Sequence, residues 1–165
     1  PLVRIPSLVL DDGEVLIDSG AILDHLDEVA GPARALTPRA GAERRRVLQL
    51  IAAATGAIDK AGAQVYERHF HAPAAVNESW LKRCQEQMRG GLSYLEANIA
   101  GHWLALDRMT QADITAAALV GYLKLRAPEV DVARDYPGLQ RLSHVCEAMP
   151  SFVAARPGPE EVMPT

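Results

Sequence analysis

An acidic residue followed by a serine can hold a small anion where a short apolar strand gives way to a helix, and Asp18-Ser19 stands at such a junction. A helix start leaves backbone N–H groups unpaired at the positive end of the helix dipole, and the Ser19 hydroxyl adds a donor at the same spot. Ile5-Pro6 is a second feature, because X-Pro is the bond at which a cis peptide is cheap and a proline at the head of a strand cannot donate to the ladder. A kink there turns the N–H and C=O of Ile5 outward, toward a ligand. Each feature also has a plainer use, Ser19 as an N-cap and Pro6 as a strand start. His69-Phe70-His71 offers half of a metal site, but no Cys or third His lies close in sequence and Pro73 follows, which favours a loop. Arg44-Arg45-Arg46 reads as a solvated helix face or a source of interface ion pairs. Cys84 and Cys146 fall far apart within helical patterns, as small buried hydrophobes rather than halves of a disulfide.

The elements that must position these groups follow from spacing. Ile5 to Leu10 is an apolar run, Asp11-Asp12-Gly13 supplies turn chemistry, and Glu14 to Ile17 is a second run, together an antiparallel hairpin. From Ser19, the expected N-cap, the period becomes helical, with Ile22, Leu23, Leu26 and Val29 on one face and Asp24, Asp27 and Glu28 on the other. Gly31 to Pro38 is rich in breakers and marks a domain boundary, with residues 1–32 on one side and 33–165 on the other. A long helix is predicted from Ala40 to about Arg68, its inward stripe Val47, Ile51, Ala54, Ile58, Ala61 and Val65. Asn77-Glu78-Ser79 opens another, with Leu81, Cys84, Met88, Leu92, Leu95 and Ile99 inward and an end at Gly101-His102. Gly90-Gly91 weakens that helix or marks close packing against a neighbour.

Thr110-Gln111-Ala112-Asp113-Ile114 is a helix start written three ways: cap, capping box, and a staple between Met109 and Ile114. That helix continues through Leu119, Tyr122 and Leu125 to stop near Pro128. Asp135-Tyr136-Pro137 starts the next, with Leu139, Leu142, Cys146 and Met149 inward, and Pro150-Ser151-Phe152 breaks and restarts it. The Pro-rich tail from Pro157 to Thr165 is expected to be mobile.

Composition narrows the classes. The 165 residues are 48% hydrophobic but only 5% aromatic, with abundant alanine, which predicts a helix-on-helix core of small and aliphatic side chains. A formal charge of −4 leaves no basic footprint, which argues against nucleic acid as a partner. No apolar run approaches a membrane span and no leader precedes the first strand, so a soluble cytoplasmic protein without membrane partners is expected.

The ordered set Arg4-Ile5-Pro6-Ser7-Leu8, Asp11-Asp12-Gly13-Glu14, Ile17-Asp18-Ser19 and then an apolar helix resembles the second half of the thioredoxin-like domain of a cytosolic glutathione S-transferase of bacterial type. Thr110 and Asp113 resemble the start of that family's buried sixth helix, and Pro150-Ser151-Phe152 resembles a proline followed by Ser or Thr and Phe that is common near the end of the family's chains, so the resemblance covers nearly the whole chain. It implies a mainly α fold: a β-hairpin plus helix as the C-terminal half of a thioredoxin-like α/β domain, then an all-α domain. It implies that Pro6 is cis, that Ile5 pairs through its backbone with the cysteinyl part of glutathione, and that Asp18 and Ser19 hold the γ-glutamyl end. Arg4 takes the place of a Lys near the glycyl carboxylate, a role a guanidinium serves well. Asp18 stands where Glu or Gln is commoner, and Val3 where Gly is frequent.

By the same resemblance the second substrate lies near the end of the long helix, where Tyr66 and Phe70 are the candidates. A strand, a helix and a strand stand upstream in the family, carrying the Ser, Tyr or Cys that activates the thiol. The catalytic residue is therefore expected upstream of Pro1, with this chain inactive alone and the strand from Ile5 to Leu10 a bare apolar edge. The resemblance further implies a homodimer, glutathione as substrate with no metal, and a detoxifying transferase acting on an electrophile. The alternative is a protein that keeps the fold and binds without catalysing.

Overall fold

A computed structural model of the chain describes residues 5–158; Arg4 and Val3, like the tail beyond Gly158, lie outside the described residues. Two short strands, β1 (Ser7–Val9) and β2 (Val15–Ile17), pair antiparallel with Leu8 opposite Leu16. They are shorter than the predicted runs. The turn closes through the N–H of Leu10 on the Glu14 carbonyl at 2.8 Å and the N–H of Glu14 on Asp12 Oδ1 at 3.0 Å. Gly13 sits at φ 90°, a conformation only glycine adopts without strain. Helix α1 (Ser19–Ala30) lies against this ribbon and buries no residue completely. Val9 and Val15 remain exposed on the sheet and Val29 on the helix.

The core lies in the helices that follow: α2 (Gly41–Phe70), α3 (Glu78–Ala97), α4 (Gln111–Arg126), the single turn α5 (Val132–Asp135), α6 (Pro137–Glu147) and α7 (Pro150–Ala154). The chain is thus mainly helical, with a two-stranded sheet ahead of an all-helical bundle. Helix α2 packs on α3 and α4, and α4 on α6. Its buried stripe is Val47, Leu50, Ala54, Ala57, Ala61 and Gln64, whereas Ile51 and Ile58 are only partly buried. The difference from the predicted stripe has a packing cause. A Cβ at Gly91 of α3 would stand 3.1 Å from both the Ala53 carbonyl and the Ala57 Cβ, so the helices approach backbone to backbone and the contact line takes alanines.

Helix α3 ends at Ala97, before Gly101, because Asn98 turns its N–H back onto the Leu95 carbonyl. Its predicted face is buried from Leu81 to Leu95, leaving Ile99 in the following loop. Helix α5, which the sequence did not announce, is capped by Asp131 on the N–H of Arg134 at 3.0 Å. The N-terminus of α6 is closed from another helix: Glu96 accepts from the N–H of Gly138 at 2.7 Å and of Leu139 at 2.8 Å. Cys84 and Cys146 are both free and buried.

Candidate functional site

At the head of β1 the Ile5–Pro6 bond is cis, as the resemblance implies. Ile5 is almost fully exposed. The Pro6 carbonyl accepts the N–H of Asp18 at 3.3 Å, which sets the strand entry beside the start of α1. The structure therefore brings Ile5, Pro6, Asp18 and Ser19 to one end of the hairpin.

At that end the cap differs from the sequence reading. Asp18, not Ser19, is the N-cap: its Oδ1 accepts the N–H of Gly20 at 2.8 Å and its carbonyl starts the helix. Aspartate caps as well as serine does, and the helix simply begins one residue earlier. Asp18 stands at φ 72° and ψ 141°, a region open to glycine and costly for other residues, on the order of 1–3 kcal/mol. The turn frees the Ser19 hydroxyl from capping. Exposed at the first helical position, it has no hydrogen-bond partner among the described residues and faces solvent at the positive end of α1. An acceptor carboxylate, a free hydroxyl, a helix N-terminus and an exposed main-chain strand entry are what a zwitterionic peptide needs.

A second cluster forms at the far end of α2. Tyr66 and Phe70, one turn apart, are exposed with ring centroids 5.8 Å apart, and the His69 ring stands nearly perpendicular to that of Phe70 with centroids 4.9 Å apart. Tyr122 of α4, which the sequence reading placed only as part of a helix, joins them. A Cβ at Gly62 of α2 would stand 3.4 Å from its hydroxyl. Burial first, then the neighbouring Tyr66, pushes the Tyr122 phenol above its ordinary pKa, with Arg126 opposing. Its signal in the sequence was a tyrosine one turn beyond the buried Leu119, beside glycines on both helices.

Tyr122 also lines an apolar groove of about 820 Å³ along α4 and α7, with Ile114, Ala118, Leu125 and Phe152 on its walls. His71, the other half of the suspected metal pair, turns its Nδ1 to the Glu67 carbonyl at 3.2 Å. Among the described residues no group of three or more His, Cys, Asp or Glu is placed to hold a metal ion, and no helix is long and apolar enough to cross a membrane.

The three arginines are mostly committed within the chain. Arg44 reaches Asp24 and the Pro38 carbonyl, each at 3.1 Å, and Arg46 reaches the carbonyls of Ala105 at 2.9 Å and Leu104 at 3.2 Å. Only Arg45 lacks a partner among the described residues, so the expected supply of three arginines for a neighbouring subunit shrinks to one.

Comparison with known proteins bears on the family and the fold. Residues 1–34 match the family model of the glutathione S-transferase N-terminal domain, and residues 78–143 that of the C-terminal domain. The chain is 32% identical over 157 residues to the GST-like protein YibF of Escherichia coli K12, covering 95% of this chain and 77% of that one. A glutathione transferase family member from Pseudomonas fluorescens Pf-5, solved with S-(propanoic acid)-glutathione, superposes with a TM-score of 0.84 at 36% identity over 96% of this chain and 80% of that one. A glutathione S-transferase from Methylobacterium radiotolerans, in complex with glutathione sulfonate, gives a TM-score of 0.87 at 29% identity over 98% and 76%.

Proposed function

The chain belongs to the cytosolic-type glutathione S-transferase family, and on that premise we propose that it binds glutathione at the junction of β2 and α1 and presents its thiol to an electrophilic second substrate. The observation that carries the proposal is the strained turn at Asp18, which delivers a free Ser19 hydroxyl to the first turn of α1 beside the cis Ile5–Pro6 bond. In this reading Ile5 holds the cysteinyl unit through its backbone. Asp18 takes the ammonium and Ser19 the carboxylate of the γ-glutamyl end, each a charge-assisted hydrogen bond. Arg4 pairs with the glycyl carboxylate. These residues hold and orient, while the nucleophile is glutathione's own thiolate.

In this reading the second substrate lies against Tyr66, Phe70 and the half-buried Tyr122, and the exposed rings of Tyr66 and Phe70 suit an apolar or aromatic electrophile. Two copies of the chain pair through α1 and α2, a reading supported by the exposed Val29, Leu26 and Leu48 and the unengaged Arg45. The direct test is retention of the purified chain on immobilised glutathione. Release by free glutathione is expected, and release by glutathione of a Ser19→Ala, Asp18→Ala double variant to the same extent would refute the placement.

A further inference from the structure

We propose that Asp27 is a positioning residue that latches α1, and with it the Asp18–Ser19 junction, to the helical bundle. The latch itself stands on geometry alone; its consequence for ligands rests on the glutathione reading. Helix α1 buries no residue completely and packs chiefly on the two strands, so apolar burial does not fix it against the helices that carry Tyr66 and Tyr122.

A carboxylate does so instead. Asp27 Oδ1 accepts the N–H of Leu36 at 2.7 Å and Oδ2 that of Thr37 at 2.9 Å, both partly buried. Two amide donors converging on one half-covered carboxylate make a firm grip. The gripped segment is held from its other side as well. The Leu36 carbonyl accepts the N–H of Gln111 in the first turn of α4 at 3.2 Å, and Arg108 Nη1 reaches the Ala35 carbonyl at 3.4 Å. Ala35 and Thr37 are buried. Arg44 adds an outer clasp to Asp24, but that pair is exposed and holds little. A continuous path thus runs from α1 through Asp27, residues 36 and 37, and Gln111 to α4, the helix of Tyr122.

Asp27→Asn is the informative change. The amide can accept one of the two N–H groups, but it sets its own NH2 against the other. The experiment combines amide hydrogen exchange with calorimetric titration of glutathione and of S-hexylglutathione, the latter probing both clusters at once, on the full chain, with Asp24→Asn as control.

Asp27→Asn should speed exchange at Leu36 and Thr37 by about ten- to hundredfold. It should leave Ala35, whose N–H is bonded to the Gly31 carbonyl at 2.9 Å, protected. Glutathione should bind as before, while the extra affinity of S-hexylglutathione falls by about threefold or more. Asp24→Asn should change neither. Unchanged exchange at Leu36 and Thr37 would overturn the latch, and faster exchange with the S-hexyl increment intact would overturn the positioning role. Failure of both compounds to bind the unmodified chain would refute the glutathione reading instead, and the exchange arm would then decide the latch alone.

Discussion

Ser19 shows how a single residue can be read correctly for its place and wrongly for its task. Its position at a strand-to-helix junction was plain from the change of period, yet the capping bond belongs to Asp18, and this leaves the serine hydroxyl available. Sequence could not decide between two adjacent capping residues, because the choice depends on the backbone torsion at Asp18, which only the packed turn sets. Tyr122 was missed for a related reason: what makes it notable is its approach to Gly62 and Tyr66 on another helix.

Cys146 was legible as a buried hydrophobe, and its chemistry follows. Burial first, then the charges of Asp113 and Glu147, raises its thiol from an ordinary 9.0 to about 11. Below pH 9 the thiol is neutral in folded and unfolded chain alike, and its contribution to stability is complete. Between 9 and 11 the unfolded chain releases the proton first, so that contribution is lost as pH rises through the folded value. Thermal melts should therefore show a steeper loss of stability from pH 9 to 11 in the parent than in Cys146→Ala. Parallel curves would mean the thiol is not held neutral.

At the scale of elements, local signals survived where they were self-contained. The Thr110–Asp113 capping box formed as read, with the Thr110 N–H and hydroxyl on Asp113 Oδ2 at 2.7 and 2.8 Å. Packing then added what sequence could not show, a third donor from the N–H of Leu104 at 2.8 Å on a fully buried carboxylate. Asp113→Ala strands all three donors and should cost about 2–4 kcal/mol of unfolding free energy. The exposed Asp24→Ala should cost no more than about 0.5 kcal/mol. Chemical denaturation of the two variants checks the contrast.

The Gly90-Gly91 pair makes a second contrast, because the sequence left its meaning open and the structure separates the two. Nothing lies within 4 Å of a Cβ at Gly90, so Gly90→Ala should stabilise by about 0.5–1 kcal/mol through helix propensity. Gly91→Ala meets the α2 backbone and should destabilise by about 1–3 kcal/mol. Equal effects would mean that α2 and α3 do not meet as described. The same close approach explains the misread stripe of α2, where periodicity offered isoleucines and the neighbour's glycine selected alanines. The cap that Glu96 places on α6 joins residues 42 and 43 positions apart, and no local pattern encodes it.

For the whole molecule, the order of a hairpin, a helix and an all-helical bundle was legible because each apolar run carried its own period and its own breakers. How the first unit is held on the second was not, since the bonds between Asp27 and residues 36 and 37 depend on tertiary placement. The exposed Leu26, Val29 and Leu48 lead to the prediction that the chain self-associates as a dimer at micromolar concentration. Light scattering should give twice the monomer mass, and Val29→Glu should shift it toward the monomer. A monomer in the parent would contradict the pairing.

The central claim is that glutathione sits on the first turn of α1 with its γ-glutamyl carboxylate on Ser19. Titration calorimetry of glutathione into the parent chain and into Ser19→Ala tests it most directly. Binding should be measurable in the parent and weaker by about 1–3 kcal/mol in the variant, the range for losing a hydrogen bond to a charged group, with residual binding from the backbone N–H groups and the dipole. Equal affinity in the two proteins, or no heat of binding in the parent, would contradict it.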